Sequence, residues 1–339
     1  MSPTLTDVAK KANVALSTAS RAFSDPDRLG PDTLRKVLST ARELGYEPPA
    51  PRAAEPRPDT GTVTVAVVVP DVANPVFSAF VKAAQSQGWH RRHTVVLADT
   101  DFDPDREREV IAHLRDRVDG LVVCSPRLDA AEIEALSGGV PVVLVNREAT
   151  GTDTVLADAT DGLRQALDYL TALGHRRIAY VQGSPRSWSN AHRVEVVRHL
   201  ADTHDLELEL LGSQAETVAG GTAAAARVVA SGATAVIAHN DLVALGVITG
   251  ARTLGVRVPD DLSVVGMDDI PFAAVSQPTL TSIAVPMGRA GSLALRMLDQ
   301  AMAGDGAGPR CLRLPTQLVV RGSTRPAAAR VPADTRGNP

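Results

Sequence analysis

The sequence predicts an α/β protein in two parts: a small three-helix headpiece of helix-turn-helix form, then a larger two-lobed body built on parallel sheets. Three observations predict it. Apolar residues recur at helical spacing between cap-forming residues over residues 4–46, short β-branched runs alternate with helical stretches from Val63 onward, and prolines at 48, 49, 51, 56 and 58 separate the two regions. At 339 residues the chain has room beside the headpiece for two lobes, each with its own core.

The headpiece follows from caps and spacing. Thr4 followed by Asp7 has the form of a capping box, and Leu5, Val8, Ala9 and Ala12 then share one helical face. The first helix should stop at Asn13, because asparagine tolerates the left-handed backbone of a tight turn. A second short helix covers roughly residues 16–23, with Ala19 and Ala22 small enough for close packing. Gly30-Pro31 opens a third, since proline at the first helical position wastes no amide. Leu34, Val37, Leu38, Ala41 and Leu44 form its apolar stripe, and Gly45 ends it.

These residues resemble the headpiece of the LacI/GalR family of bacterial transcriptional repressors. The shared pattern is Thr4, Asp7-Val8-Ala9, Ala12, Val14, Thr18, Ser20 and Arg21, followed by Leu44-Gly45-Tyr46-Glu47-Pro48. The resemblance implies that the second helix enters the DNA major groove, with Leu16, Ser17 and Arg21 at base edges. Arg21 suits guanine, whose O6 and N7 can both accept from one guanidinium. Thr18, Ser20 and Arg28 suit phosphates, and the resemblance counts Thr4 with them among the DNA-binding residues. A headpiece that binds protein instead of DNA is the competing expectation.

Two departures stand out. Ala15 replaces the serine that caps the recognition helix in the family, and basic and acidic residues nearly balance over the headpiece, so strong binding should need a dimer. Within PPAPRAAEPRPDTG, Glu55 occupies the place of the family's minor-groove leucine wedge, and the prolines favour an extended linker over a hinge helix.

In the body, the runs at 63–70, 93–100, 120–125, 141–146, 177–183, 235–241 and 262–269 read as strands, most of them followed by helix. Several end in polar residues, as ligand-gathering strand ends do in parallel sheets. The body also resembles that family and, through it, periplasmic sugar-binding proteins with two hinged lobes. Its motifs include Asn74-Pro75 with Phe77, Leu173-Gly174-His175-Arg176, His239-Asn240-Asp241, and the run from Asp261 to Asp269. The resemblance implies effector contacts at Asn74, Phe77, Asn146, Arg147, Arg193, Asn240 and Asp268. Their hydrogen-bonding chemistry suits a sugar or another polyol. Phe77 and Trp188 offer stacking faces in a chain only 3% aromatic.

Other classes are disfavoured. Asp268 and Asp269, adjacent on a strand end, should point apart and make a poor acid–base pair. No nucleophile elbow, phosphate loop or dinucleotide fingerprint occurs, and His90 and His93 have no companions at metal-ligand spacing, so neither cofactor nor metal is expected. Two distant cysteines, no signal peptide and no membrane-length apolar run point to the cytoplasm. A net charge of -4 argues for a local DNA contact rather than a general one. The expected layout is a headpiece at 1–47, a linker at 48–61, a two-lobed effector-binding and dimerisation domain at 62–325 and a tail at 326–339. Double-stranded operator DNA, a small carbohydrate effector and a second copy of the chain are the expected partners, and a sugar-binding enzyme or sensor with a protein-binding headpiece is the alternative.

Overall fold

The computed structural model describes residues 3–24, 29–46, 62–304 and 308–327. Arg28, the linker with Glu55 and the chain beyond 327 lie outside these. Contacts divide the chain into a unit at residues 1–60 and a unit at 61–339.

The first unit holds α1 (Leu5–Lys11), α2 (Leu16–Ser24) and α3 (Pro31–Leu44). The capping box forms: Thr4 Oγ1 accepts from the Asp7 amide at 3.3 Å, and Asp7 Oδ2 accepts from the Thr4 amide at 2.9 Å. Asn13 turns the chain out of α1 with φ 49°, and Gly45 ends α3 with φ 64°, both in the left-handed region that the turns require. Helices this short do not persist alone in water. They are held by one small core of Val8, Ala12, Ala19, Ala22, Val37 and Ala41, closed at one end by Phe23 and Tyr46 edge to face at 5.7 Å.

The second unit begins with β1 (Thr64–Val69), α4 (Pro75–His90), β2 (Thr94–Asp99), α5 (Pro104–Leu114), β3 (Gly120–Cys124), α6 (Ala130–Ser137), β4 (Val142–Val145) and β5 (Asp153–Asp158). The chain then crosses to a second lobe comprising α7 (Thr160–Ala172), β6 (Arg177–Val181), α8 (Trp188–Thr203), β7 (Glu207–Leu211), α9 (Val218–Ala230), β8 (Ala235–Ala238), α10 (Asp241–Thr253), β9 (Ser263–Asp268), α11 (Pro271–Val275) and β10 (Thr281–Ala284). It returns for α12 (Met287–Ala303) and β11 (Cys311–Pro315), and crosses a third time into β12 (Gln317–Val319).

Each lobe is therefore one six-stranded sheet, in the orders β11-β5-β4-β3-β1-β2 and β12-β10-β9-β8-β6-β7. All neighbours are parallel except β10 and β12. The continuous apolar runs of β1, β3 and β8 are buried from both sides, as helices on both faces demand. The seven runs legible in the sequence become β1, β2, β3, β4, β6, β8 and β9. The helices around them pack closely: a Cβ at Gly246 of α10 would land on the Val218 carbonyl oxygen of α9, and one at Gly221 on the Val243 carbonyl.

Candidate functional site

In the headpiece, α2 presents one exposed face. Leu16, Ser17, Ser20 and Arg21 are exposed and Thr18 is half-buried, while Ala19 and Ala22 turn into the core. Leu16 stands 51% exposed, an apolar side chain held in solvent where a partner can cover it. The helix begins on the Ala15 carbonyl, which accepts from the Thr18 and Ala19 amides at 2.9 and 3.0 Å. Alanine offers no side-chain oxygen as a cap, so the start of the helix leans on main-chain bonds. Thr4 is engaged in its capping box at the start of α1. Arg28 lies outside the described residues.

Between the lobes of the body lies a narrow cleft, closed down to about 30 Å³ of free volume, or about 420 Å³ when its open mouth is counted. Asn74, Phe77, Asn146, Arg193, Asn240 and Asp268, expected from the sequence, all line it. Three strand-end residues there adopt left-handed backbone: Ser125 (φ 49°), Asn146 (φ 53°) and Asp268 (φ 116°). Asparagine tolerates this backbone, as at Asn13, whereas Ser125 adopts it rarely and Asp268 at φ 116° lies beyond the small left-handed region, strained geometry of the kind that collects at binding sites.

Several of these side chains also hold the frame. Asn74 caps α4 by accepting from the Val76 amide at 3.2 Å. Asn240 caps α10 by accepting from the Val243 amide at 2.8 Å and donates to the Glu216 carbonyl at 3.2 Å. Asn146 accepts from the Ala157 amide at 3.0 Å and donates to Ser125 Oγ at 3.2 Å. Arg193 donates to the His239 carbonyl at 2.8 Å, and its second terminal nitrogen stands 3.9 Å from Asp268 Oδ1. Burial raises the Asp268 carboxyl well above its usual value against the pull of Arg193, with Asp241 and Glu216 adding to the rise. His239 is pushed down to about 3 by burial, against the attraction of Glu216, and is neutral at physiological pH.

Two expected residues stand outside the lining. Arg147 turns to the Pro126 carbonyl, to which its Nη2 donates at 3.2 Å. Trp188 opens α8 and stacks on His192, with ring centroids 5.1 Å apart and 8° between planes. His192 in turn reaches Asp158 at 3.4 Å, beside the first crossover.

The cleft also gathers residues not singled out from sequence. Arg127 and Glu216 supply buried charges, Ser187 and Ser189 add hydroxyls from the start of α8, and Val285 and Met287 come from the second crossover. Arg127 sits two residues beyond the strand end at Ser125, a position that flags it; Glu216, in a loop of mixed composition, carries no such signal.

Known proteins match both parts. A family model described as bacterial regulatory proteins, lacI family, covers residues 4–49, and one described as a periplasmic binding protein-like domain covers 167–324. The HTH-type transcriptional repressor CytR of Escherichia coli K12 is 30% identical, covering 95% of this chain and 96% of its own length. A crystal structure of the lac repressor dimer bound to operator and the anti-inducer ONPF has a TM-score of 0.72 at 26% identity, over 96% of this chain and 100% of that one. A transcriptional regulator CelR–cellobiose complex has a TM-score of 0.69 at 29% identity, over 95% and 99%. With the headpiece, the two crossed-over lobes and a full-length relative at this identity in agreement, the chain belongs to the LacI family of bacterial regulatory proteins.

Proposed function

We propose that this regulator binds operator DNA through the exposed face of α2 and that a small polar effector, a sugar or sugar derivative, bound between the lobes sets its operator affinity. The observation that carries the proposal is the convergence in one cleft of side chains from both lobes. Asn74 and Asn146 come from the first, Arg193, Asn240 and Asp268 from the second, so a ligand touching both changes the balance between lobe arrangements. Phe77 supplies the apolar wall that a sugar ring needs. CelR with cellobiose supports a carbohydrate, and the lac repressor on its operator supports the role of α2.

The near balance of charge on the headpiece makes one copy a weak binder, and two copies reading two half-sites supply the missing affinity. Exposed apolar side chains on the second lobe, Phe272 at 54% and Val275 at 76%, suit contact with a second copy. An enzyme is disfavoured because Asp268 faces Arg193 while Asp269 pairs with Arg321 at 2.7 Å, so the two carboxyls do not share a substrate. The test has two arms. Selection from random duplex DNA by the full chain should recover a two-fold symmetric sequence, and a thermal-shift panel of sugars and nucleosides should find a compound that also changes affinity for it. Recovery of no sequence, or a stabilising compound without effect on DNA binding, overturns the proposal.

A further inference from the structure

Arg127 and Glu216 meet across the cleft from opposite lobes. Arg127 follows β3, Glu216 precedes α9, and Arg127 Nη2 donates to both carboxylate oxygens at 3.2 and 3.3 Å. Their side chains are 2% and 8% exposed. Each is fixed from behind in its own lobe. The Arg127 amide donates to Glu107 Oε2 at 2.8 Å and its guanidinium lies 4.9 Å above the Phe102 ring. Glu216 Oε1 accepts from the Ser184 amide at 3.1 Å, with His239 Nε2 3.7 Å away.

We propose that Arg127 and Glu216 form a charge latch that holds the two lobes closed without a ligand, which makes both of them regulatory residues of the effector site. Its effect on DNA binding rests on the cleft being that site; its effect on closure does not. Two buried charges of opposite sign neutralise one another only while the lobes are together. Remove one, and the other loses its direct partner while still desolvated in the closed form but is hydrated in the open one, so the balance moves toward opening. Burial opposes the Glu216 charge, and Arg127, the Ser184 amide and Arg193 work against it to keep the carboxyl below its usual value; His239 adds to that pull only when protonated, far below neutral pH. A ligand entering the cleft meets a pair whose charges are already matched, with Arg127 Nε still lacking an acceptor. It must either leave the pair intact or replace one of its members.

The latch is tested on the ligand-free full chain by hydrogen exchange. In Arg127→Met and in Glu216→Gln, which retains a carbonyl acceptor for the Ser184 amide, the cleft segments at 125–129, 182–190 and 212–217 should exchange at least tenfold faster than in wild type. Amides of β1 and β8 should not change, which shows that the fold is kept. The double variant Arg127→Met/Glu216→Gln strands no charge, keeps the acceptor for the Ser184 amide and should exchange close to the wild-type rate. Singles indistinguishable from wild type overturn the latch. So does a double variant whose acceleration is the sum of the singles, because independent local damage adds whereas a broken pair does not.

Discussion

Arg193 and Asp268 face each other in the cleft at 3.9 Å, a distance too long for a direct hydrogen bond and short enough for one hydroxyl oxygen to join both. Arg193 is held in place by its bond to the His239 carbonyl, and Asp268 by the strained end of β9. The pair is thus set in position and incompletely satisfied. A ligand hydroxyl that donates to Asp268 and accepts from Arg193 completes it, and two such pairings fix a ring in one orientation.

Arg193→Ala and Asp268→Ala should therefore fold and bind operator but lose the response to whichever sugar or nucleoside stabilises the wild type. Losing a charged partner of a buried ligand costs about 2–5 kcal/mol, well over tenfold in affinity. Calorimetry with that compound is the check, and unchanged affinity in both variants removes these residues from the site.

Arg21 lies on the exposed face of α2 beside Leu16 and Ser17. Arg21→Ala should flatten base preference at one position of each half-site and leave a weaker, salt-sensitive binding from the phosphate contacts, a loss of about 1–3 kcal/mol on the best sequence. Binding measured across a set of single-base operator variants decides this. Retained preference at every position assigns base readout elsewhere.

Much of this was legible in the chain because it is locally encoded. Thr4 with Asp7, Asn13, Pro31 and Gly45 mark helix ends through bonds spanning three or four residues, and strands such as β1 and β3 are long enough runs of buried β-branched residues to stand out. Strands β5, β7, β10, β11 and β12 did not stand out. β7 alternates Glu and Leu at a sheet edge, and β11 is largely exposed, so neither shows a continuous apolar run. The same limit applies to the cleft. Asn74, Asn240 and Asp268 sit at strand or helix ends that the sequence marks, whereas Arg127 and Glu216 are brought together from loops 89 positions apart. Trp188 was expected at the cleft as a rare aromatic, yet its ring finds the nearer imidazole of His192, one helical turn along α8.

Two glycine substitutions separate close packing from backbone flexibility. Gly246→Ala on α10 drives a methyl into the Val218 carbonyl oxygen of α9, a backbone atom that cannot swing aside, and should destabilise the body by about 1–3 kcal/mol. Gly288→Ala near the start of α12 meets nothing nearer than the Ala79 carbonyl oxygen at 3.9 Å. It should be neutral or stabilise by about 0.4–1 kcal/mol by narrowing the unfolded ensemble. Urea unfolding of the two variants beside wild type measures both, and equal losses would refute the packing account.

Asp241 gives the stability a pH dependence of defined sign. Its side chain is fully buried and accepts from Ser282 Oγ at 2.6 Å and from the Ile270 amide at 2.8 Å, yet burial still carries the carboxyl from the ordinary 3.8 up to about 7. Between those values the folded chain holds a proton that the unfolded chain has released. Stability contributed by this group is thus complete below about 4 and falls as pH rises, by up to about 1.4 kcal/mol per pH unit, until it levels off above about 7. His239, with its folded value pushed down to about 3, works in the opposite direction over part of the same range, so the wild-type curve alone is not diagnostic. The difference between wild type and Asp241→Asn isolates the carboxyl, because asparagine keeps the shape and cannot titrate. The variant should gain on wild type steadily from pH 5 to pH 7 in urea unfolding midpoints. A difference that stays constant across that range would mean that Asp241 is ionised throughout and that Ser282 and the Ile270 amide outweigh its burial.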